Sequence, residues 1–81
     1  MTITVRLFAM LREVAGVDEC RLTLPAGANG HAVRRVLGAQ YPALAPWWDC
    51  ARLVRNYTYE PWDTLLVDGD EVNVLPPVSG G

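Results

Sequence analysis

Val67-Asp68-Gly69-Asp70-Glu71-Val72-Asn73-Val74-Leu75-Pro76-Pro77-Val78-Ser79-Gly80-Gly81 is the stretch that decides the fold. Asp-Gly is a tight-turn pair, because glycine reaches positive φ without steric cost, so a reversal is expected at Val67–Asp70. Glu71 to Leu75 then alternates: Val72 and Val74 face inward, and Leu75 falls out of phase, outward. Pro76 and Pro77 fix φ and remove two backbone donors, so the strand stops there and the chain leaves it extended.

Working outward from this last strand, Thr2–Phe8 alternates in the same way. Ile3, Val5 and Leu7 lie on one side; Thr2, Thr4, Arg6 and Phe8 lie on the other. Ala9–Ala15 favours a short helical turn with Gly16 placed to cap it, and Asp18–Leu24 reads as a second strand with Cys20, Leu22 and Leu24 in phase. The two strands make a hairpin. Pro25–Gly30 is rich in turn residues, and Asn29 is an N-cap for a helix that Tyr41-Pro42 closes. Its apolar stripe is Ala32, Val33, Val36, Leu37 and Gln40, with Arg34 and Arg35 pointing elsewhere.

Pro46 limits Ala43–Cys50 to a short turn or 3₁₀ piece, in which Trp47 and Trp48 are expected to cover the open end of a small core. Strand character resumes at Arg52–Arg55 and Thr58–Glu60 around an Asn56-Tyr57 turn, and Pro61–Leu66 reads as an irregular loop. No internal repeat or low-complexity segment interrupts this ββαββ arrangement. A last strand paired beside the first gives an α+β fold: a mixed sheet with one main helix packed on one face, the β-grasp architecture. Residues 1–75 form the domain and 76–81 an extended tail.

The chain has 81 residues, which bounds it to one domain. A domain of this size buries only about 60–65% of its unfolded surface, so a deep internal active site is not expected. Half the residues are hydrophobic and a fifth charged, a globular composition. Seven arginines, nine acids and no lysine give a net charge of −2. With no basic footprint, no nucleic-acid partner is expected; an acidic surface suits basic partners. No apolar run reaches the length of a membrane span, and the N-terminus lacks a signal-peptide layout, so no membrane association and a cytoplasmic location are expected. Cys20 and Cys50 are then expected reduced and buried rather than bridged. His31, the only histidine, is distant in sequence from both, and no metal site is recognisable.

What remains with chemistry to offer is the tail. Beyond Val78 no side chain exceeds the hydroxymethyl of Ser79, and Gly80 and Gly81 have no Cβ, so this end can enter a channel that excludes other residues. A terminal carboxylate, with a pKa of about 3.5, is ionised at neutral pH and can attack the α-phosphate of ATP. The plain alternative is a frayed end with no role.

These residues resemble a known family. The first strand followed by Leu11-Arg12-Glu13 and Gly16, Asn56 between two short strands, Leu66 with Asp68-Gly69-Asp70-Glu71-Val72, and the closing Pro76-Pro77-Val78-Ser79-Gly80-Gly81 are similar to the MoaD group of ubiquitin-like sulfur carriers, the small subunits of molybdopterin synthase. The resemblance spans the whole chain, and it implies an ubiquitin-like β-grasp fold with no cofactor of its own. By the resemblance, an E1-like (MoeB-like) adenylating enzyme is expected to use ATP to make a C-terminal glycyl adenylate on Gly81, and a sulfur donor to convert that adenylate to a thiocarboxylate. The tail Pro76, Pro77, Val78, Ser79 and Gly80 is then expected to enter the large subunit of molybdopterin synthase (MoaE-like), where sulfur passes to cyclic pyranopterin monophosphate. Catalytic side chains are expected on that partner. A tail of six residues spans at most about 20 Å, enough to reach a neighbour's active site while the body docks outside.

Phe8, Tyr59 and Leu75 are the candidate partner-binding residues, because the sheet face away from the only long helix has nothing in the chain to cover it. Single exposed apolar residues are also normal and can mean nothing. Asp68, Asp70 and Glu71 are read as lying next to the tail root, where they either meet basic residues of a partner or form a solvated turn. Val67 stands where the family often has a lysine, so any contact expected of that lysine is in doubt. Two other readings share the tail: a sulfur carrier for thiamine, cysteine or tungsten-cofactor synthesis, and a protein modifier joined through Gly81 to target lysines. Without lysine, such a modifier could not build lysine-linked chains on itself.

Overall fold

The computed structural model describes residues 1–77, so the expectations for Val78, Ser79, Gly80 and Gly81 lie outside the described residues. The elements in chain order are Thr2–Leu7 (β1), Ala9–Ala15 (α1), Glu19–Thr23 (β2), Gly30–Gln40 (α2), a 3₁₀ segment at Pro42–Trp47, Arg52–Arg55 (β3), Thr58–Glu60 (β4) and Glu71–Leu75 (β5). They build one sheet in the order β2-β1-β5-β3-β4. β5 runs parallel to β1, with Val5 opposite Val72 and Leu7 opposite Val74, and antiparallel to β3, with Leu53 opposite Val74. The mixed sheet of a β-grasp fold is present, with the terminal strand at its centre.

The ββαββ formula is one strand short of the five observed, although the two short strands it was built from, Arg52–Arg55 and Thr58–Glu60, are where the Asn56-Tyr57 turn places them, as the antiparallel pair β3 and β4. They reverse at Asn56 and Tyr57, both at positive φ (53° and 63°), the conformation a two-residue hairpin turn requires. Elsewhere the local signals hold. Gly16 caps α1 at φ 80° and donates its N–H to Arg12 O at 2.8 Å, while Asn29 Oδ1 accepts from His31 N at 3.0 Å at the start of α2.

The core lies between the sheet and α2. Ile3, Val5, Leu7, Leu22, Leu24, Leu53, Val72 and Val74 from the sheet meet Ala32, Val33 and Leu37 of α2, with Leu11, Leu44 and Leu66 closing the ends; none is more than 4% exposed. Burying each large aliphatic side chain is worth about 1.5–3 kcal/mol against leaving it wet. Gln40, placed in the helical stripe by spacing, is instead exposed at the last residue of α2. Cys20 and Cys50 are free thiols as expected but half-buried rather than buried, Cys20 because β2 is an edge strand with a neighbour on one side only.

The irregular loop after β4 is tied to the start of α2. Thr64 O accepts from Gly30 N at 3.2 Å, and Ala28 O accepts from Leu66 N at 3.0 Å. Trp62, in that loop, packs edge-to-face on Trp48 with ring centroids 6.1 Å apart. The Arg34 guanidinium lies over both rings, at 5.0 Å from Trp62 and 5.9 Å from Trp48. Trp47 and Trp48 do pack against the core, as their position predicts.

Candidate functional site

Period-two alternation gives the sheet an outer face opposite the core, and the register assembles it row by row. One row runs Glu19, Arg6, Asn73, Val54, Tyr59 across all five strands. The next contains Arg52 opposite Leu75, with Phe8 one step beyond the Leu7–Val74 pair. Phe8, Leu75 and Tyr59 therefore share one face at neighbouring rows. Phe8 is 37% and Tyr59 61% exposed, Leu75 is half-buried, and Val54, in the first row beside Tyr59, is buried. The chain leaves this face through Pro76, half-buried, and Pro77, exposed.

Phe8 is the N-cap residue of α1 rather than the end of β1, and Ala9 after it adopts φ 52°, a left-handed conformation unusual for a residue with a Cβ. That kink turns the chain from the sheet into α1 beside the exit. The exit is surrounded by shallow concavities. Arg52 and Tyr59 line one with Pro76 and Pro77; Asp49, Cys50 and Trp62 line another with Arg52 and Pro77; Ala9, Met10, Glu13 and Trp47 line a third with both prolines. Arg52, Met10 and Trp47 were not legible as site residues. Their only sequence signal was an out-of-phase arginine in a strand and apolar residues in segments read as core cover.

The acidic run Asp68, Asp70 and Glu71 is not at the tail root. β5 separates the two, and its five residues span about 16 Å at strand rise. Each acid is engaged within the fold. Asp68 Oδ1 accepts from Thr2 N at 2.7 Å, Glu71 Oε1 from Arg6 Nη2 at 2.7 Å, and Asp70 Oδ2 from Arg55 Nη1 at 3.0 Å and Val67 N at 2.9 Å. The hydrogen bond to Glu71, with its charge and that of Glu19, raises the Arg6 pKa further. Val67, at the family's lysine position, is 62% exposed at this far end.

No described side chain forms a catalytic constellation with these residues. Burial pushes the Cys20 thiol up, with Glu19 adding to the effect, which keeps it protonated and a weak nucleophile at neutral pH. Among the described residues no helix is long and apolar enough to cross a membrane. What the arrangement offers is an apolar-centred surface around the origin of a narrow segment.

A family model described as the ThiS family matches residues 5–81. The chain belongs to this family. It is 41% identical to the molybdopterin synthase sulfur carrier subunit of Chlamydomonas reinhardtii, over the full length of both chains. It is 33% identical to that of Arabidopsis thaliana, over 98% of this chain and 82% of the relative. Among solved structures, SAMP1 from Haloferax volcanii superposes with a TM-score of 0.88 at 29% identity, covering both chains entirely. The resemblance read from the sequence and its ubiquitin-like β-grasp fold are thus both upheld.

Proposed function

We propose that this ThiS-family protein is a sulfur carrier in the synthesis of molybdenum cofactor, acting in the cytoplasm as the small subunit of molybdopterin synthase. Residues 1–75 are the docking body and 76–81 the delivered tail. The observation that carries the reading is the convergence of Phe8, Leu75 and Tyr59 on the exit at Pro76-Pro77, in a chain full-length similar to sulfur carrier subunits.

The chemistry follows from what a carboxylate can do. It is a poor acyl donor because its leaving group is an oxide, so activation precedes sulfur. A Gly81 carboxylate oxygen attacks the α-phosphorus of ATP on an E1-like partner and pyrophosphate leaves. Sulfide (HS⁻) released by a donor then attacks the acyl carbon, the C–O bond to AMP breaks and AMP leaves, and loss of the S–H proton gives a thiocarboxylate. Val78, Ser79 and Gly80 carry it into the large subunit, where cyclic pyranopterin monophosphate receives the sulfur. Ordering such a tail costs on the order of 1–2 kcal/mol per residue, which contacts of the body must offset. Phe8, Tyr59 and Leu75 are the residues that make them.

Incubation with a cognate adenylating enzyme, ATP and a sulfur source, followed by intact mass, tests the reading. A mass showing oxygen replaced by sulfur at Gly81, discharged on adding the large subunit and the pterin precursor, is the expected result; a mass that never changes sinks it. The likeness to SAMP1, a small archaeal modifier protein, supports a second reading in which the same adenylate is captured by target lysines. Covalent adducts on unrelated proteins, in place of thiocarboxylate, would select it.

A further inference from the structure

β2 ends the sheet on one side. Met1 and Leu24 exchange both of their N–H···O bonds, and Leu7 N donates to Asp18 O at 2.9 Å, so β1 uses the even-numbered residues of β2. The N–H and C=O groups of Glu19, Arg21 and Thr23 therefore point away from the sheet. All three residues are exposed, and among the described residues nothing bonds to those groups. Most devices that blunt an edge are missing: β2 has no proline and no bulge, and it pairs with β1 over five unbroken steps. The opposite edge, β4, has only three residues and runs into Pro61. Charges are the one blunting device β2 carries, and their spacing makes them self-complementary.

Two copies of β2 laid antiparallel, edge to edge, exchange these bonds only where odd-numbered residues meet. Arg21 opposite Arg21 of the second copy, or Glu19 opposite Glu19 of the second copy, sets like charges together, which is destabilising. Only one register sets unlike charges opposite: Glu19 faces Arg21 of the second copy and, by the two-fold, Arg21 faces Glu19 of the second copy. Among the described residues Arg21 has no ion-pair partner within 4.0 Å, while Glu19 holds Arg6 at 3.1 Å and Arg6 holds Glu71 at 2.7 Å. The join thus extends a row that alternates in sign: Glu71, Arg6, Glu19, then Arg21 of the second copy. The other charges beside the edge do not oppose it. Asp18 falls opposite Leu22 of the second copy, and Arg12 shares shallow concavities with Asp18 and Glu19 of its own chain. In the same register Cys20, a half-buried free thiol, faces Cys20 of the second copy at a non-hydrogen-bonded step, where Cα atoms stand about 4.5 Å apart. We propose that two copies of this chain associate through their β2 edges, joining two five-stranded sheets into one of ten strands. This goes beyond the chemistry of the tail and does not depend on it. β5 lies two strands in from the edge, so the pairing leaves both exits uncovered, with the two copies of β5 about 24 Å apart across the sheet. One strand per copy makes a contact below the roughly 1,200 Å² of stable complexes, so the dimer fills only at high protein concentration.

Dibromobimane, which fluoresces once two neighbouring thiolates have displaced both of its bromides, reads this pairing in the full chain carrying Cys50→Ala, the parent here. The reaction is run at pH about 9, because burial pushes the Cys20 thiol up. Cross-linked dimer should rise with protein concentration, in step with the sedimentation coefficient of the untreated protein. Arg21→Glu and Glu19→Arg, each added to the parent, set like charges opposite at both steps and should each lower the cross-linked yield about tenfold. Mixing the two variants should restore the yield to within about twofold of the parent, since unlike charges then face each other at both steps of a mixed dimer. Thermal melts establish that each variant is folded. If Glu19→Arg does not fold, the double variant Glu19→Arg/Arg21→Glu replaces the mixture and should cross-link with itself. The proposal is overturned if the parent stays monomeric and uncross-linked at every concentration, or if Arg21→Glu cross-links as well as the parent. It is equally overturned if neither the mixture nor the double variant recovers.

Discussion

Gly30 and Gly38 lie in the same helix, α2, and replacing each with alanine should change stability in opposite directions. Alanine is favoured over glycine in a helix interior by about 1 kcal/mol, so propensity alone predicts a gain at both. At Gly38 a Cβ would meet only Trp48 Nε1, at 3.4 Å, an ordinary contact. At Gly30 it would lie 2.6 Å from the carbonyl oxygen of Trp62 and 2.9 Å from Leu53 Cδ2. That carbonyl is not free to retreat. Its loop is pinned by Gly30 N donating to Thr64 O at 3.2 Å and by Thr64 N donating to Pro61 O at 3.1 Å, and Leu53 is buried. Ordinary contact requires a retreat of about 1 Å, and forcing such shifts in a packed region costs about 1–3 kcal/mol. The clash exceeds the propensity gain, which is also smaller at the first residue of a helix. We expect Gly38→Ala to stabilise by about 0.5–1 kcal/mol and Gly30→Ala to destabilise by about 1–2 kcal/mol. Urea unfolding with an unchanged m-value is the assay, and for a domain of this size each kcal/mol moves Tm by about 4–8 °C. A Gly30→Ala protein as stable as its parent would refute the reasoning, as would a destabilised Gly38→Ala.

Three further outcomes follow from the same geometry. Tyr57 is fully exposed at φ 63°, so Tyr57→Gly should raise stability by about 1 kcal/mol in a thermal melt; an unchanged melt would mean the β3–β4 turn is not strained. Asp70→Asn removes the charged acceptor shared by Arg55 and Val67, with the Asp70 side chain only 17% exposed, and should cost about 1–3 kcal/mol in chemical denaturation. A loss under about 0.5 kcal/mol, the range of ordinary surface changes, would show that this corner holds nothing. Because burial and then Glu19 raise the Cys20 pKa, alkylation of Cys20 in a Cys50→Ala background should lag an unfolded thiol at pH 8 and climb only above the ordinary cysteine range. Glu19→Gln removes one raising charge, so it should quicken labelling at fixed pH; equal rates folded and unfolded would contradict the assignment.

The parts of the fold legible in the sequence were those that local geometry dictates. Ile3, Val5 and Leu7 alternate against Val72 and Val74, and all five are buried on one face; Asn29, Gly16 and Gly69 sit where a cap or a positive φ is needed. What escaped was contact between segments far apart in the chain. Nothing local tells that Trp62 leaves its loop to stack with Arg34 and Trp48, or that Gly30 is small because the Trp62 carbonyl passes over it. The acidic turn was misplaced for a related reason. Asp70 and Glu71 are close to the prolines along the chain, but a strand carries its ends apart, and they serve the opposite rim. The outer-face trio was legible because strand phase alone separates Phe8 and Leu75 from the core. Arg52, Met10 and Trp47 were not, since their place beside the exit depends on which elements flank β5.

That flanking also explains why a domain this small can position something it does not itself act upon. The exit continues the central strand, not an edge one: β5 is hydrogen-bonded to β1 on one side and β3 on the other. Swinging the exit aside would break ladder bonds on one side and expose Val74, which is fully buried. Each lost backbone bond costs about 1 kcal/mol, and uncovering a valine about 1.5 kcal/mol or more. Reorienting Pro76 by local fraying is therefore costly, whereas a tail leaving β2 or β4 would be restrained from one side only. The direction in which Pro76 leaves is therefore set by the sheet. A substitution that frays the end of β5, such as Leu75→Pro, should accordingly impair docking more than its loss of stability accounts for.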